Sequence, residues 1–216
     1  MHIAITGAAG FLGQRLVQQL LARGELRQQP ITRLTLIDQI EAPLPDAGSV
    51  AVASRALDIT ESGALDSVLE QRPDVIYHLA AVVSSAAEAD LELGMRVNFD
   101  ATRALLEGCR EQSLTDARLI MASSVAAYGG ELPEVLDDMT ALHPQNSYGA
   151  QKAMCELLIN DYSRRGLIDG LVLRLPTIVI RPGRPNAAAS SFASSILREP
   201  LNGEEAVCPV PVEFPM

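Results

Sequence analysis

Apolar positions along this chain fall into two alternating patterns: short continuous runs, and longer stretches in which they recur with helical spacing. The first run, His2 to Thr6, has the length and apolar character of a strand buried on both faces of a parallel sheet. It leads into Phe11, Leu12, Leu16, Val17, Leu20 and Leu21, whose spacing predicts a helix. A polar, breaker-flanked connection from Gly24 to Pro30 precedes a second strand at about Arg33 to Asp38. Ala42 to Gly48, with Pro43, Pro45 and Asp46, reads as loop, and Val50 to Ala53 as a third strand. Leu57-Asp58-Ile59-Thr60 follows, and then a helix from about Ser62 to Glu70.

The second half repeats the rhythm. Asp74 to His78 is a fourth strand, followed by Leu79-Ala80-Ala81, where small side chains let a ligand lie against the backbone. Leu91, Met95, Phe99, Leu105 and Leu106 predict one helix over Glu88 to Arg110, with Asn98 near its middle. Arg118 to Met121 is a fifth strand running into Ala122-Ser123-Ser124-Val125-Ala126-Ala127-Tyr128-Gly129, and Gly129 to Gln145 is loop. Asn146 or Ser147 caps a helix continuing to about Arg164, and Leu171 to Leu175 is a sixth strand. Strands and helices alternating in this way imply an α/β fold, a doubly wound parallel sheet of Rossmann-like type. From Pro176 the character changes: Arg181 to Asn186 is turn-rich and basic, and Ala187 to Glu199 reads as a short Ala/Ser-rich helix. The three prolines of Cys208 to Met216 restrict that stretch to an edge strand or a frayed tail. The expected division is a dinucleotide-binding domain over 1–175 and an incomplete substrate lobe over 176–216.

Composition narrows the classes. At 216 residues and 48% hydrophobic content, the chain can bury a substantial core. A formal charge of −10 argues against nucleic acid as a partner, and the absence of Trp removes much of the stacking surface a single-strand binder uses. The three cysteines, Cys109, Cys155 and Cys208, lack metal-ligand spacing, so no metal site is expected; their odd number argues against a disulfide framework and for reduced thiols in a cytoplasm. No apolar run approaches the length needed to cross a bilayer, so a soluble protein without a membrane partner is expected.

Gly7, Gly10 and Gly13 stand where the first strand becomes the first helix. Gly7 suits the tight turn, Gly10 leaves backbone amides open to a pyrophosphate, and Gly13 allows close packing of helix on strand. A helix N-terminus aimed at that spot attracts negative charge. Asp38 ends the second strand, where its carboxylate can accept hydrogen bonds from an adenosine ribose. It would repel a 2′-phosphate, and no Arg or Lys lies in the glycine turn or just after it, so NAD is preferred over NADP. Asp58 has two readings, a partner for the adenine amino group with Ile59 backing the ring, or a helix cap. His78 ends a buried strand and reads as a core histidine rather than a catalytic one.

Tyr148 and Lys152 lie four residues apart at the start of a helix and project from one face. A nearby ammonium and an oxidised nicotinamide both favour a phenolate, which can take a hydroxyl proton as hydride leaves the same carbon. Ser124 would hold the substrate oxygen, and Asn98 would position Lys152 through water. A Tyr-x-x-x-Lys pair by itself is as well explained by an ordinary helix surface.

As an ordered set these residues resemble an extended short-chain dehydrogenase/reductase of the NAD-dependent epimerase/dehydratase family, over about residues 1 to 185. The resemblance implies NAD held by Gly7, Gly10, Phe11, Leu12 and Gly13 at the turn, and by Asp38, Asp58 and Ile59 at the adenosine end. Leu79, Ala80, Ala81, Asn98, Tyr148, Lys152 and Pro176 complete the implied cofactor set. It makes Ser124, Tyr148 and Lys152 catalytic, Ser123 a support for Ser124, and Tyr128 a pocket residue. Leu175 to Gly183 and Pro185 to Ala189 resemble the members that oxidise the C2 hydroxyl of a small sugar acid to the 2-keto acid. Arg174, Arg181 or Arg184 would then pair with the substrate carboxylate.

Two alternatives stand beside that reading. One is a nucleotide-sugar epimerase, which returns the hydride; a 4,6-dehydratase is disfavoured because Val125 follows Ser124 where an Asp-Glu pair is usual. The other is a truncated, non-catalytic NAD-binding chain, since 216 residues end before such families complete their C-terminal lobe. The resemblance also implies a homodimer formed through the helices around Glu88 to Arg110 and Ser147 to Arg164.

Overall fold

A computed structural model of the chain describes residues 1–179 and 191–211. In chain order the elements are β1 (His2–Thr6), α1 (Phe11–Arg23), β2 (Glu25–Leu26), β3 (Gln29–Pro30), β4 (Arg33–Asp38), β5 (Ala51–Ala56), α2 (Asp66–Leu69) and β6 (Val75–His78). There follow α3 (Ser84–Ala89), α4 (Leu91–Gly94), a π-helical turn (Met95–Asp100), α5 (Ala101–Glu111), β7 (Arg118–Ser124), a 3-10 turn (Val125–Ala127), α6 (Ser147–Arg164), β8 (Asp169–Leu175) and α7 (Phe192–Leu201).

Six strands form one parallel sheet in the order β5-β4-β1-β6-β7-β8. The chain winds outward from β1 in one direction, then returns to wind in the other. The reversal falls between β1 and β6, and open α/β sheets bind ligands beyond the carboxyl ends of the strands at such a point. Alternation along β1 builds two cores. Ile3 and Ile5 pack with Val17 and Leu20 of α1 and with Leu34 and Leu36. Ala4 packs on the opposite face with Leu105 and Leu106 of α5 and with Cys155 and Ile159 of α6.

The doubly wound parallel sheet agrees with the expectation from the sequence, and several local expectations are corrected. The helix expected over Glu88 to Arg110 is broken. Asp90 leaves helical geometry (φ −136°, ψ 96°), its carboxylate accepts the Leu93 N–H at 2.9 Å, and the backbone then widens into the π turn. Helix Ser62 to Glu70 contracts to Asp66–Leu69, because turns through Gly63 (φ +74°) occupy its first part. The third strand runs to Ala56, in register with Asp38, and the fifth runs to Ser124, so both serines belong to the sheet. The connection after α1 holds a two-residue antiparallel hairpin, turned through positive φ at Arg27 (54°) and Gln28 (63°). Asn146 caps α6 as expected, accepting the Gly149 N–H at 2.8 Å. Helix α7 begins at Phe192 and carries Pro200 in its last turn. The expectations at Arg181, Arg184 and Ala187, and the end of the proline-rich tail, lie outside the described residues.

Cys109 and Cys155 are buried and Cys208 is exposed, all as free thiols. Among the described residues no helix is long and apolar enough to cross a membrane, and no group of three or more His, Cys, Asp or Glu could hold a metal ion.

Candidate active site

The β1–α1 turn is shaped by what its glycines lack. Gly7 has φ +72°, and a Cβ there would lie 2.7 Å from the Ala80 nitrogen, so the turn passes directly over the end of β6. A Cβ on Gly13 would stand 2.6 Å from the Ala8 Cα, which sets how closely α1 approaches the strand it follows. Gly10 is the extended residue before α1, and no side chain caps the helix. The amides of its first turn therefore remain donors for a ligand.

Two cavities meet at this turn. One, of about 390 Å³, is walled by Asp38, Ile40, Leu57, Ile59, Ala80 and Val82. The other, of about 650 Å³, is walled by Phe11, Leu12, Gly13, Ser124, Tyr148, Lys152, Pro176 and residues of α7. Gly7, Gly10, Leu79 and Ala81 line both. The arrangement fits a dinucleotide: an apolar site beside a carboxylate at one end, a glycine turn and helix N-terminus in the middle, and at the other end a chamber that holds Ser124, Tyr148 and Lys152. Asp38 also braces the turn. One of its oxygens accepts the Ala9 N–H at 2.9 Å and the other the Gln39 N–H at 2.8 Å.

In the larger chamber, Ser124 ends β7 and Tyr148 and Lys152 occupy the first turns of α6. The Ser124 Oγ accepts the Ala126 N–H at 3.1 Å. Lys152 is buried; its Nζ donates to the Ala122 carbonyl at 2.9 Å and stands 5.7 Å from the centre of the Tyr148 ring. Burial lowers the Lys152 pKa to about 8, opposed by Cys155 and Glu156. Burial raises that of Tyr148, and a hydrogen bond with Ser124 pulls it the other way. The phenol is therefore protonated in the bare chamber, and an added positive charge beside it favours the phenolate.

Two residues expected at the cofactor stand back from both cavities among the described lining residues. Asp58 accepts the Thr60 N–H at 2.9 Å and the Thr60 hydroxyl at 2.7 Å, bonds that hold its carboxyl below the usual range and close a turn, whereas its neighbours Leu57 and Ile59 do line the smaller cavity. Asn98 is 1% exposed within the π turn. Its Oδ1 accepts the Val82 N–H at 2.9 Å and its Nδ2 donates to Gln151 at 2.8 Å, so its side chain is not directed to Lys152. Tyr128 and Arg174 are likewise withdrawn. Arg174 donates to Glu156 at 2.9 Å and to the Tyr128 hydroxyl at 2.5 Å, and lies over the Tyr128 ring at 4.9 Å. Glu156 also accepts the Ser123 hydroxyl, which makes Ser123 a support beneath Ser124. His78 is buried between Thr6 (2.8 Å) and Thr102 (3.0 Å), away from the chamber. Ser191, Ser194 and Arg198 line the chamber without having been singled out from the sequence. Ala/Ser-rich composition marked a helix there, and nothing in the sequence marked which face it turns inward.

The family model for the NAD dependent epimerase/dehydratase family matches residues 3–212. The chain belongs to this family. Among epimerase/dehydratase relatives, a D-erythronate dehydrogenase of Cupriavidus necator is 54% identical over 100% of this chain and 67% of its own length. One of Haemophilus influenzae is 53% identical over 99% of this chain and 66% of its own. A solved structure titled a nucleoside-diphosphate-sugar epimerase, from Agrobacterium tumefaciens, superposes with a TM-score of 0.91 at 51% identity, covering 98% of this chain and 63% of that one. The chain thus spans about two thirds of the length of the curated relatives it matches. The cofactor of this NAD dependent family fits the two-lobed groove.

Proposed function

We propose that this chain carries the catalytic core of an NAD-dependent dehydrogenase that oxidises the C2 hydroxyl of a small sugar acid, D-erythronate or a close relative, to the 2-keto acid. The observation that carries the reading is that Ser124, Tyr148 and Lys152 face one chamber whose opposite wall is the glycine turn. The substrate class rests on the two D-erythronate dehydrogenases, each more than half identical over nearly the entire chain.

NAD, when bound, supplies the hydride acceptor. Gly7, Gly10 and the first turn of α1 would hold its phosphates, Asp38 its adenosine ribose, and Leu57 and Ile59 its base. Ser124 holds the substrate oxygen by hydrogen bonding and so fixes the hydroxyl against Tyr148. The Tyr148 oxygen takes the hydroxyl proton as the C–H bond breaks. Lys152, fixed by the Ala122 carbonyl, places its ammonium beside that oxygen and stabilises the phenolate. In this reading residues 1–175 are the NAD-binding domain and 176–216 belong to a substrate lobe. The working form is a cytoplasmic homodimer, and the exposed Met154 and Leu157 on α6 supply apolar surface for its interface.

The Agrobacterium structure's title favours a second reading, a nucleotide-sugar epimerase with the same proton chemistry. NADH formation followed by absorbance with D-erythronate and L-threonate, and epimer formation followed by chromatography with a nucleotide-sugar panel, separate the two when each is offered to the wild type and to Tyr148→Phe. Turnover of an aldonate that disappears in the variant is the expected result. Conversion of nucleotide sugars alone would overturn it.

A further inference from the structure

We infer that Arg198, with Ser194 beside it, binds the carboxylate of the substrate. This rests on the dehydrogenase reading and adds to it a residue that chooses acids over neutral polyols. The charge of the chamber is the first observation. In a chain of net charge −10, the charged side chains among the described residues of its wall are Lys152 and Arg198, both cationic. A wall whose described charged side chains are both cationic, inside an acidic protein, favours an anion.

The geometry of α7 is the second observation. Ser191, just before the helix, and Ser194 and Arg198 within it are spaced by three and four residues, the interval that puts side chains on one helix face, and all three line the chamber. Ser194 is 2% exposed, so its hydroxyl belongs to the interior rather than to the surface. The Arg198 side chain is 12% exposed, and its guanidinium is held by Glu199 at 2.5 Å and by the Ser195 hydroxyl at 3.2 Å. A guanidinium fixed by neighbours on its own helix presents its charge to a ligand at little further entropic cost.

Chemistry then assigns the two cations. In a 2-hydroxy acid the carboxylate is bonded to the carbon that loses hydride, so its partner must share a chamber with Ser124 and Tyr148. Lys152 lies beside Tyr148 and serves the proton transfer, which among the described residues of the wall leaves the acid end to Arg198. Arg174, the other described arginine considered from the sequence, does not line the chamber.

Calorimetric titration tests this without relying on turnover. D-erythronate, and erythritol as its carboxylate-free analogue, are titrated into NADH-saturated wild type, Arg198→Met, Arg198→Lys and Ser194→Ala. NADH affinity is measured first in each protein and reports the integrity of the fold. Arg198→Met is expected to weaken the acid by about ten- to a hundredfold and Arg198→Lys to recover part of the loss. Ser194→Ala is expected to weaken it by about three- to tenfold, with erythritol and NADH affinities unchanged throughout. Unchanged erythronate affinity in Arg198→Met would overturn the inference alone. NADH affinity falling in parallel would also overturn it, by placing the guanidinium on the dinucleotide phosphates. A wild type that binds nucleotide sugars and no aldonate would overturn the functional reading itself.

Discussion

Mild acid should destabilise this fold through His78. The imidazole is 2% exposed, and its hydrogen bonds fix its tautomer. Thr102 donates its own proton to the Asn98 carbonyl at 2.8 Å, so at 3.0 Å its oxygen accepts the Nε2–H of His78, and Nδ1 accepts the Thr6 hydroxyl at 2.8 Å. The neutral ring is fully bonded. Burial, and secondarily the charge of Lys152, lower its pKa from 6.5 to about 3. The unfolded chain therefore binds a proton as pH falls through 6.5, and the folded chain does not until about pH 3. Stability is lost across that window at about 1.4 kcal/mol per pH unit, which is about 3 kcal/mol between pH 6.5 and about pH 4.5. That is a large share of the roughly 5–15 kcal/mol that holds a domain folded.

Urea unfolding followed by circular dichroism, at about pH 7 and about pH 4.5, measures the loss in wild type and in His78→Gln. The Gln amide keeps a donor and an acceptor in the slot but does not titrate. The variant starts less stable and should lose about 3 kcal/mol less between the two pH values. His2, whose pKa burial also lowers, contributes a slope common to both proteins. Asp58, Asp137 and Asp161, held below their usual range by hydrogen bonds, titrate beneath the chosen window. Equal losses in the two proteins would refute the assignment of acid sensitivity to this imidazole.

Three further outcomes are expected. Tyr148→Phe should lower kcat by about 10²–10⁴-fold in steady-state assays while NADH affinity, read by fluorescence titration, stays within about twofold. Asp38→Ala strips the Ala9 and Gln39 amides of their acceptor, and should weaken NAD by about tenfold or more while narrowing its advantage over NADP in the same titration. Glu156→Ala leaves Arg174 without its carboxylate partner and the Ser123 hydroxyl without its acceptor; urea unfolding should show a loss of about 3–5 kcal/mol.

Where the sequence was readable, the physics was local. Strand-length apolar runs marked the sheet, and the glycines marked the turn because each is required by a steric condition that acts within a few residues or against an adjacent strand. The Tyr148–Lys152 spacing was readable for the same reason, since one turn of helix fixes it. What escaped depends on partners distant in sequence. Asn98 has the look of a site residue, yet Val82 and Gln151 hold its side chain. Arg174 carries the charge a sugar acid needs, yet Glu156, eighteen residues before it, claims the guanidinium. Arg198 was passed over because the inward face of α7 is set by what it packs on.

The withdrawn residues explain how the reacting ones are placed. Ser124 and Lys152, which line the chamber, each have a sequence neighbour that faces inward and is held there. Ser124 is held through Ser123, which bonds Glu156. Lys152 follows Gln151, which accepts from Asn98, and α6 is bound there again by the Cys155 thiol donating to the Asn98 carbonyl at 3.2 Å. That carbonyl, in the π turn, also takes the Thr102 hydroxyl at 2.8 Å. Two bonds to Asn98 thus tie α6, which carries Tyr148 and Lys152, to the π turn.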